Sequence, residues 1–397
     1  MANCNSIAAL SLLAGMMASP VFAQDPGTTL DGRVGTITTA VPFLRISPDA
    51  RSGAMGDVGL ALSPDANAQY WNVAKLAASE KDMGASITYT PWLKDLVPDV
   101  FLGYLSGYKK FGPDGGNQAI SASLRYFNLG DLDYRDVDGN AAGTGKPREF
   151  SFDVGYSRNL SENLSVGVAL RYINSNIAAG SVSQGNQYKP ASAVAGDIGL
   201  YYHKTNEMTE DQAGTLSFGA VLSNLGSKIS YSQQNRDFIP TNLGIGGAYN
   251  YKVDKYNQVT FALDLNKALT PAPIMKVNNS TGEEHWEIPN MGVLAGIGNS
   301  FLKAPPGYGT TISVGGEYWY QDQFAVRAGY FYENKNNGDR QYFSCGLGVK
   351  YNVFGLNFAY LVPSGSGVAR NPLSNTLRFS LTFDFDKGAL GKETTEG

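Results

Sequence analysis

Leu377-Arg378-Phe379-Ser380-Leu381-Thr382-Phe383-Asp384-Phe385 alternates apolar and polar side chains without a break. Successive residues of a β-strand point to opposite faces. Leu377, Phe379, Leu381, Phe383 and Phe385 therefore share one side, and Arg378, Ser380, Thr382 and Asp384 the other. A tilted strand of about nine residues crosses a bilayer. The run ends on an aromatic residue and gives way to a polar tail, 386–397.

The same pattern recurs upstream. Leu164, Val166, Val168, Leu170 and Tyr172 oppose Ser165, Gly167, Ala169 and Arg171; Phe150, Phe152, Val154 and Tyr156 oppose Ser151, Asp153, Gly155 and Ser157. Ile120, Leu124 and Tyr126 oppose Ser121, Ser123 and Arg125, and Val259, Phe261, Leu263 and Leu265 oppose Thr260, Asp264 and Asn266. Charges fall only on the small, polar face. A lipid-facing Lys or Arg at mid-bilayer costs roughly 2–4 kcal/mol, so this segregation is what hydrocarbon demands. A soluble β-sandwich also alternates, but these strands are long, and Tyr or Phe marks many ends like an interfacial girdle, as at Tyr201-Tyr202, Tyr318-Trp319-Tyr320 and Tyr330-Phe331-Tyr332.

The pattern predicts an all-β protein, a transmembrane antiparallel β-barrel of about 14 strands between residues 84 and 385. The strands are expected near 84–92, 99–108, 118–128, 148–158, 163–173, 192–203, 213–224, 239–252, 257–267, 308–320, 322–332, 341–351, 353–362 and 375–385. Tight connections at 159–162, 253–256, Gln321 and Asn352 all fall on the side of the chain ends; the long ones all fall opposite. Outer-membrane barrels have short periplasmic turns and longer outer loops, so parity assigns the sides.

Composition agrees. Of 397 residues only 17% are charged, while Gly (47) and Tyr (23) are abundant, a mixture that favours sheet over helix. The net charge of -4, with no Lys/Arg block, gives no nucleic-acid footprint. An apolar run from Ile7 to Met17, then Pro20 and Val21-Phe22-Ala23, reads as a signal peptide over 1–23 with the mature start at Gln24. A short membrane anchor is the alternative, and the run is too short to span comfortably. Residues 24–83 do not alternate. They carry Pro42, Pro48 and Pro64 and many small residues, as expected of a plug inside the barrel; a periplasmic arm is the alternative. The tail 386–397 is expected in the periplasm.

Signals for chemistry are poor, and no catalytic residue, cofactor or metal site is assigned. His203 and His285 are expected at exposed positions, and no Gly-x-Ser-x-Gly elbow accompanies them. The acidic stretch from Asp131 to Asn140 has clustered carboxylates but no complete calcium loop, since Gly145 falls where the closing acid belongs. Cys345, sharing a face with Phe343, Leu347 and Val349, reads as a buried small hydrophobe. Gly244-Ile245-Gly246-Gly247 lacks a βαβ context and reads as strand glycines that admit close backbone. Trp92, Leu93, Leu96 and Val97 form a greasy first outer loop, either a partner contact or a lipid anchor.

Asp65-Ala66-Asn67-Ala68-Gln69-Tyr70-Trp71-Asn72-Val73-Ala74-Lys75-Leu76 resembles the plug-to-barrel motif of FadL-like outer-membrane proteins, with Val73 at the usual proline. Pro42-Phe43-Leu44-Arg45-Ile46-Ser47-Pro48-Asp49-Ala50-Arg51, then Gly53 and Gly56, and Ser86 to Leu93 resemble the PorV (LptO) family of the type IX secretion system. The resemblance makes Gly53, Gly56, Asp65, Asn67, Tyr70, Trp71 and Asn72 a plug motif. It implies a non-enzymatic outer-membrane carrier that binds the C-terminal signal domain of cargo proteins. The implied partners are a large translocon barrel (Sov/SprA-like), a PorU-type sortase complex that receives the cargo, and outer-membrane lipid. The second function considered is a FadL-like channel for hydrophobic small molecules; a phospholipase resting on His203 is the third.

Overall fold

The computed structural model describes residues 39–92, 99–113, 116–135, 141–177, 182–183, 186–187, 189–231, 236–277, 284–305, 307–334, 338, 340–363 and 376–386. The signal-peptide segment, the tail beyond Asp386, and Leu93, Leu96 and Val97 lie outside them.

Fourteen strands close into one antiparallel barrel. They are β1 (Met83–Pro91), β2 (Phe101–Phe111), β3 (Gln118–Asn128), β4 (Arg148–Asn159), β5 (Leu164–Asn176), β6 (Ala191–Thr209) and β7 (Gln212–Gly226). The second half comprises β8 (Asn242–Lys252), β9 (Asn257–Ala268), β10 (Thr310–Tyr320), β11 (Phe324–Glu333), β12 (Gln341–Tyr351), β13 (Phe354–Pro363) and β14 (Leu377–Phe385). Closure comes from β1 pairing with β14, in register from Met83 opposite Phe385 to Tyr89 opposite Phe379. Every strand then has two neighbours and its backbone groups are paired, which a bilayer requires.

Alternation sets the faces as read. Leu124, Phe152, Leu170, Phe261 and Leu381 are exposed on the outside, while Arg125, Asp153, Arg171, Asp264 and Arg378 are buried in the lumen. Tight turns join strands on the side of the chain ends. Tyr351 pairs with Phe354 across Asn352 and Val353, with Asn352 left-handed at φ 52°.

Three expectations need correction. Cys345 is not buried: it lies exposed on the outer face, where lipid rather than protein covers an apolar side chain. His203 is half-buried rather than exposed, because β6 runs on to Thr209 and turns its 201/203 side inward. Tyr201 points into the lumen and is buried, so it takes no part in an interfacial girdle. The outer connections also hold structure that periodicity did not indicate: hairpins pairing 132–135 with 141–145 and 274–277 with 284–287, and the helix Val293–Leu302.

Candidate functional site

The lumen holds the N-terminal segment. It comprises a 3-10 turn (Pro42–Arg45), helix α1 (Ala50–Ala54), helix α2 (Ala68–Trp71) and a second 3-10 turn (Val73–Ala78). Each helical piece is short because the barrel wall, not helix propensity, supplies its stability. Asp49 caps α1 by accepting from the Ser52 amide at 2.8 Å, and its other oxygen accepts from Trp71 Nε1 at 2.7 Å. One buried carboxylate thereby ties the first helix to the second. Burial and nearby Asp65 push the Asp49 carboxyl above its usual range.

Small residues let segment and wall approach. Gly56 sits at φ +72°, and a Cβ there would lie 2.6 Å from the Tyr330 backbone nitrogen. A Cβ on Gly53 would strike the Arg378 guanidinium. On the wall, Gly167 faces the Ala74 backbone, Gly315 faces Met55, and Gly244 and Gly246 face Leu60. The strand glycines of β8 thus receive the plug, although Gly247 turns outward toward Phe218.

Polar latches complete the fit. Glu317 accepts Arg51 Nε at 3.1 Å and Nη2 at 2.8 Å from the plug, and Arg327 Nε at 2.6 Å from the neighbouring strand. Arg51 also holds Asp65 at 3.1 Å, and Asp65 accepts from the Asn67 amide at 2.8 Å. Arg378 Nη1 donates to Asp57 at 2.7 Å, and Tyr342 donates to the same carboxylate. Asp264 Oδ2 accepts from the Gly59 and Leu60 amides at 2.7 and 2.9 Å. Asn72 donates to Leu60 O at 3.2 Å and to Leu200 O at 2.9 Å, and accepts from the Ala74 amide. Removing one partner of such a pair leaves a buried charge uncompensated, at a cost of about 3–5 kcal/mol.

The motif residues therefore cluster: Gly53, Gly56, Asp65, Tyr70, Trp71 and Asn72 all touch the wall or one another, and Asn67 is buried beside them. Lys75 is nearly fully buried and donates to Gly59 O at 2.6 Å; burial pulls its ammonium down to about 8. Sequence reasoning missed the Arg51–Glu317–Arg327 triad. Glu317 and Arg327 are direct cross-strand partners, an opposite-charge pair on the lumen face that becomes visible only once register is known.

Two arginines stand apart from this compensated network. Arg125 is fully buried, lies over the Tyr70 ring at 4.4 Å and donates through Nη1 to Leu44 O at 3.0 Å. Its Nε and Nη2 have no hydrogen-bond partner among the described residues. Arg45, on the plug, reaches Glu333 only at 3.8 Å, while Arg340 already holds that carboxylate at 2.6 and 3.0 Å. Burial and the adjacent Arg340 pull the Arg45 guanidinium down to about 10. A cavity of about 100 Å³, lined by Arg45, Arg340, Leu44 and Tyr70 among others, lies between the plug and the outer halves of the wall strands.

The other sequence candidates are dispersed. Trp92 is half-buried, its ring edge-on to Phe127 at 6.2 Å and its amide bonded to Val100 O. His203 stacks on Tyr201 at 5.4 Å. Ser217, directly opposite His203 in register, instead accepts from the Tyr201 hydroxyl at 3.2 Å. Asp131 pairs with Lys146 at 2.9 Å, and residues 136–140 of the acidic loop lie outside the described set. No group of metal-ligating side chains occurs among the described residues.

The chain is similar in shape to several solved structures. They include the Ralstonia pickettii toluene transporter TbuX (12% identity, covering 85% of this chain and 98% of that one, TM-score 0.49). The Pseudomonas putida toluene transporter TodX matches at 10% identity, with 85% and 98% covered and TM-score 0.48. A Pseudomonas aeruginosa FadL homologue matches at 11%, with 88% and 99% covered and TM-score 0.44. No curated protein sequence matches the chain. The profile of the family described as type IX secretion system protein PorV matches residues 30–275, more than half of the sequence. The chain belongs to the PorV family and is an outer-membrane β-barrel component of the type IX secretion system.

Proposed function

We propose that this barrel is a cargo shuttle. It binds the C-terminal signal domain of proteins leaving the translocon barrel and delivers them to the PorU-type sortase complex at the cell surface. The family is one of secretion components, not of enzymes. The observation that carries the shuttle reading is the filled lumen. Arg51, Asp57, Gly59, Leu60 and Asn72 each bond to the wall, so the barrel holds its interior rather than conducting through it. Cargo is then met at the outer rim, where the long connections lie, with Trp92, Leu93, Leu96 and Val97 as one docking edge. The plug motif acts as the latch that keeps the barrel shut, in a mature chain running from Gln24 through the plug (24–83) and barrel (84–385) to a periplasmic tail.

A hydrocarbon channel, the activity named for TbuX and TodX, needs a continuous apolar path. The cavity beside the plug is bordered by Arg45, Arg171, Arg340 and Asp57 as well as by Tyr70, Trp71 and Phe331, a mixed lining rather than a continuously apolar one. Deleting the gene is expected to leave cargo signal domains uncleaved and cargo off the cell surface. Normal cargo processing in the deletion, together with fatty-acid uptake that depends on the protein, would favour the channel.

A further inference from the structure

The charges around the cavity balance in number but are unevenly shared. Arg171 is held by Asp153 at 2.6 Å and Asp197 at 2.9 Å, and Asp57 by Arg378 at 2.7 Å. Glu333 is shared by two guanidiniums, and Arg340 occupies both of its oxygens. That leaves Arg45, which lines the cavity and keeps 23% of its side chain exposed, with a single ion pair, at 3.8 Å, among the described residues. On the lumen face of β3, Arg125 stacks on Tyr70 and bonds to the Leu44 carbonyl; Tyr70 and Leu44 both line the cavity. Arg125 forms no ion pair among the described residues. One under-neutralised guanidinium, Arg45, therefore lines the small space, with Arg125 one layer back behind Tyr70 and Leu44, and such charges are costly unless an anion approaches. Arginine is also the side chain whose fork matches a carboxylate.

We propose that this cavity is a carboxylate-binding pocket, reached from the outer side, with Arg45 as the group that contacts the anion. Its volume of about 100 Å³ admits a carboxylate and the residue bearing it, not a folded domain. Tyr70, Trp71 and Phe331 border the same space, so an apolar side group beside the carboxylate fits. Two sources share this chemistry: the free C-terminus of a polypeptide, which rests on the shuttle reading, and a free organic acid, which does not.

The test is titration calorimetry on the purified full chain in detergent. The probes are N-acetyl-Ala-Ala-Phe with a free or an amidated C-terminus, and benzoate against benzamide. The acid form of at least one pair is expected to bind at least tenfold more tightly than its amide. Arg45→Gln is expected to abolish that preference, and Arg45→Lys to keep part of it. The Arg45→Gln protein is expected to fold, since the Arg45 side chain makes no hydrogen bond among the described residues; an unchanged thermal transition checks this. Preference for the peptide assigns a chain end, and preference for benzoate alone assigns a free acid. Equal binding of acid and amide in both pairs, or an undiminished preference in Arg45→Gln, overturns the pocket. Its failure is separable from that of the shuttle: defective cargo processing on gene deletion with no acid preference removes the pocket alone, and normal processing with an intact preference removes the shuttle alone.

Discussion

At the scale of single residues, the plug depends on positions that tolerate no change of size or charge. Gly56 combines a left-handed backbone with Tyr330 backbone at 2.6 Å from any Cβ. Gly56→Val is expected to destabilise the protein by roughly 2–4 kcal/mol, read from urea unfolding in lipid vesicles. Lys75 gives a pH signature. Its folded pKa of about 8 lies below the ordinary 10.5, so the folded state binds fewer protons between these values. Stability should therefore rise as pH increases from about 8 to 10.5. Below that window the fold carries the full cost of a buried ammonium. Lys75→Met should flatten the rise, and an unchanged slope in the variant would show that another group produces it. The small residues of the plug were legible in the sequence because Gly53 and Gly56 stand in a run that no strand pattern explains. The partners of Arg51 and Asp57 were not, because Glu317 and Arg378 lie hundreds of residues away and only barrel closure brings them near. Cys345 was misread for a different reason: its face was identified correctly, but that face meets lipid, not a protein core.

At the scale of elements, the strands were readable wherever one face meets lipid and the other the lumen. β14 and β5 alternate over their full membrane-crossing length. The reading stopped at His203 in β6, although the strand continues to Thr209. Residues 204–209 are exposed on both faces, so no alternation marks them and only pairing with β7 keeps them extended. Hairpins in the outer connections escaped for the same reason. The lipid face gives a direct prediction. Leu170, 64% exposed near the middle of β5, should cost roughly 2–4 kcal/mol when changed to Arg, whereas Leu160→Arg in the adjoining turn should be nearly silent. Equal effects at the two positions, measured by unfolding from vesicles, would contradict the assigned membrane span. The latch gives another. Glu317→Ala leaves Arg51 and Arg327 without their shared carboxylate, and should both destabilise the fold by about 3–5 kcal/mol and produce stepwise currents in planar bilayers. The unaltered protein should pass none.

At the scale of the whole molecule, the barrel is a container occupied by the 42–78 segment of its own chain, and on the proposed reading its outer connections are the surface offered to a protein leaving the cell. Membership of the PorV family places it in the type IX system; the closed lumen is what favours carriage over conduction. The most direct measurement is affinity purification of the tagged full-length protein from outer membranes, with its companions identified by mass spectrometry. The account predicts exported proteins that still bear their C-terminal signal domains, together with the translocon barrel or the sortase. Recovery of the barrel alone, from cells that are actively exporting cargo and under detergent conditions that preserve other outer-membrane complexes, would contradict it.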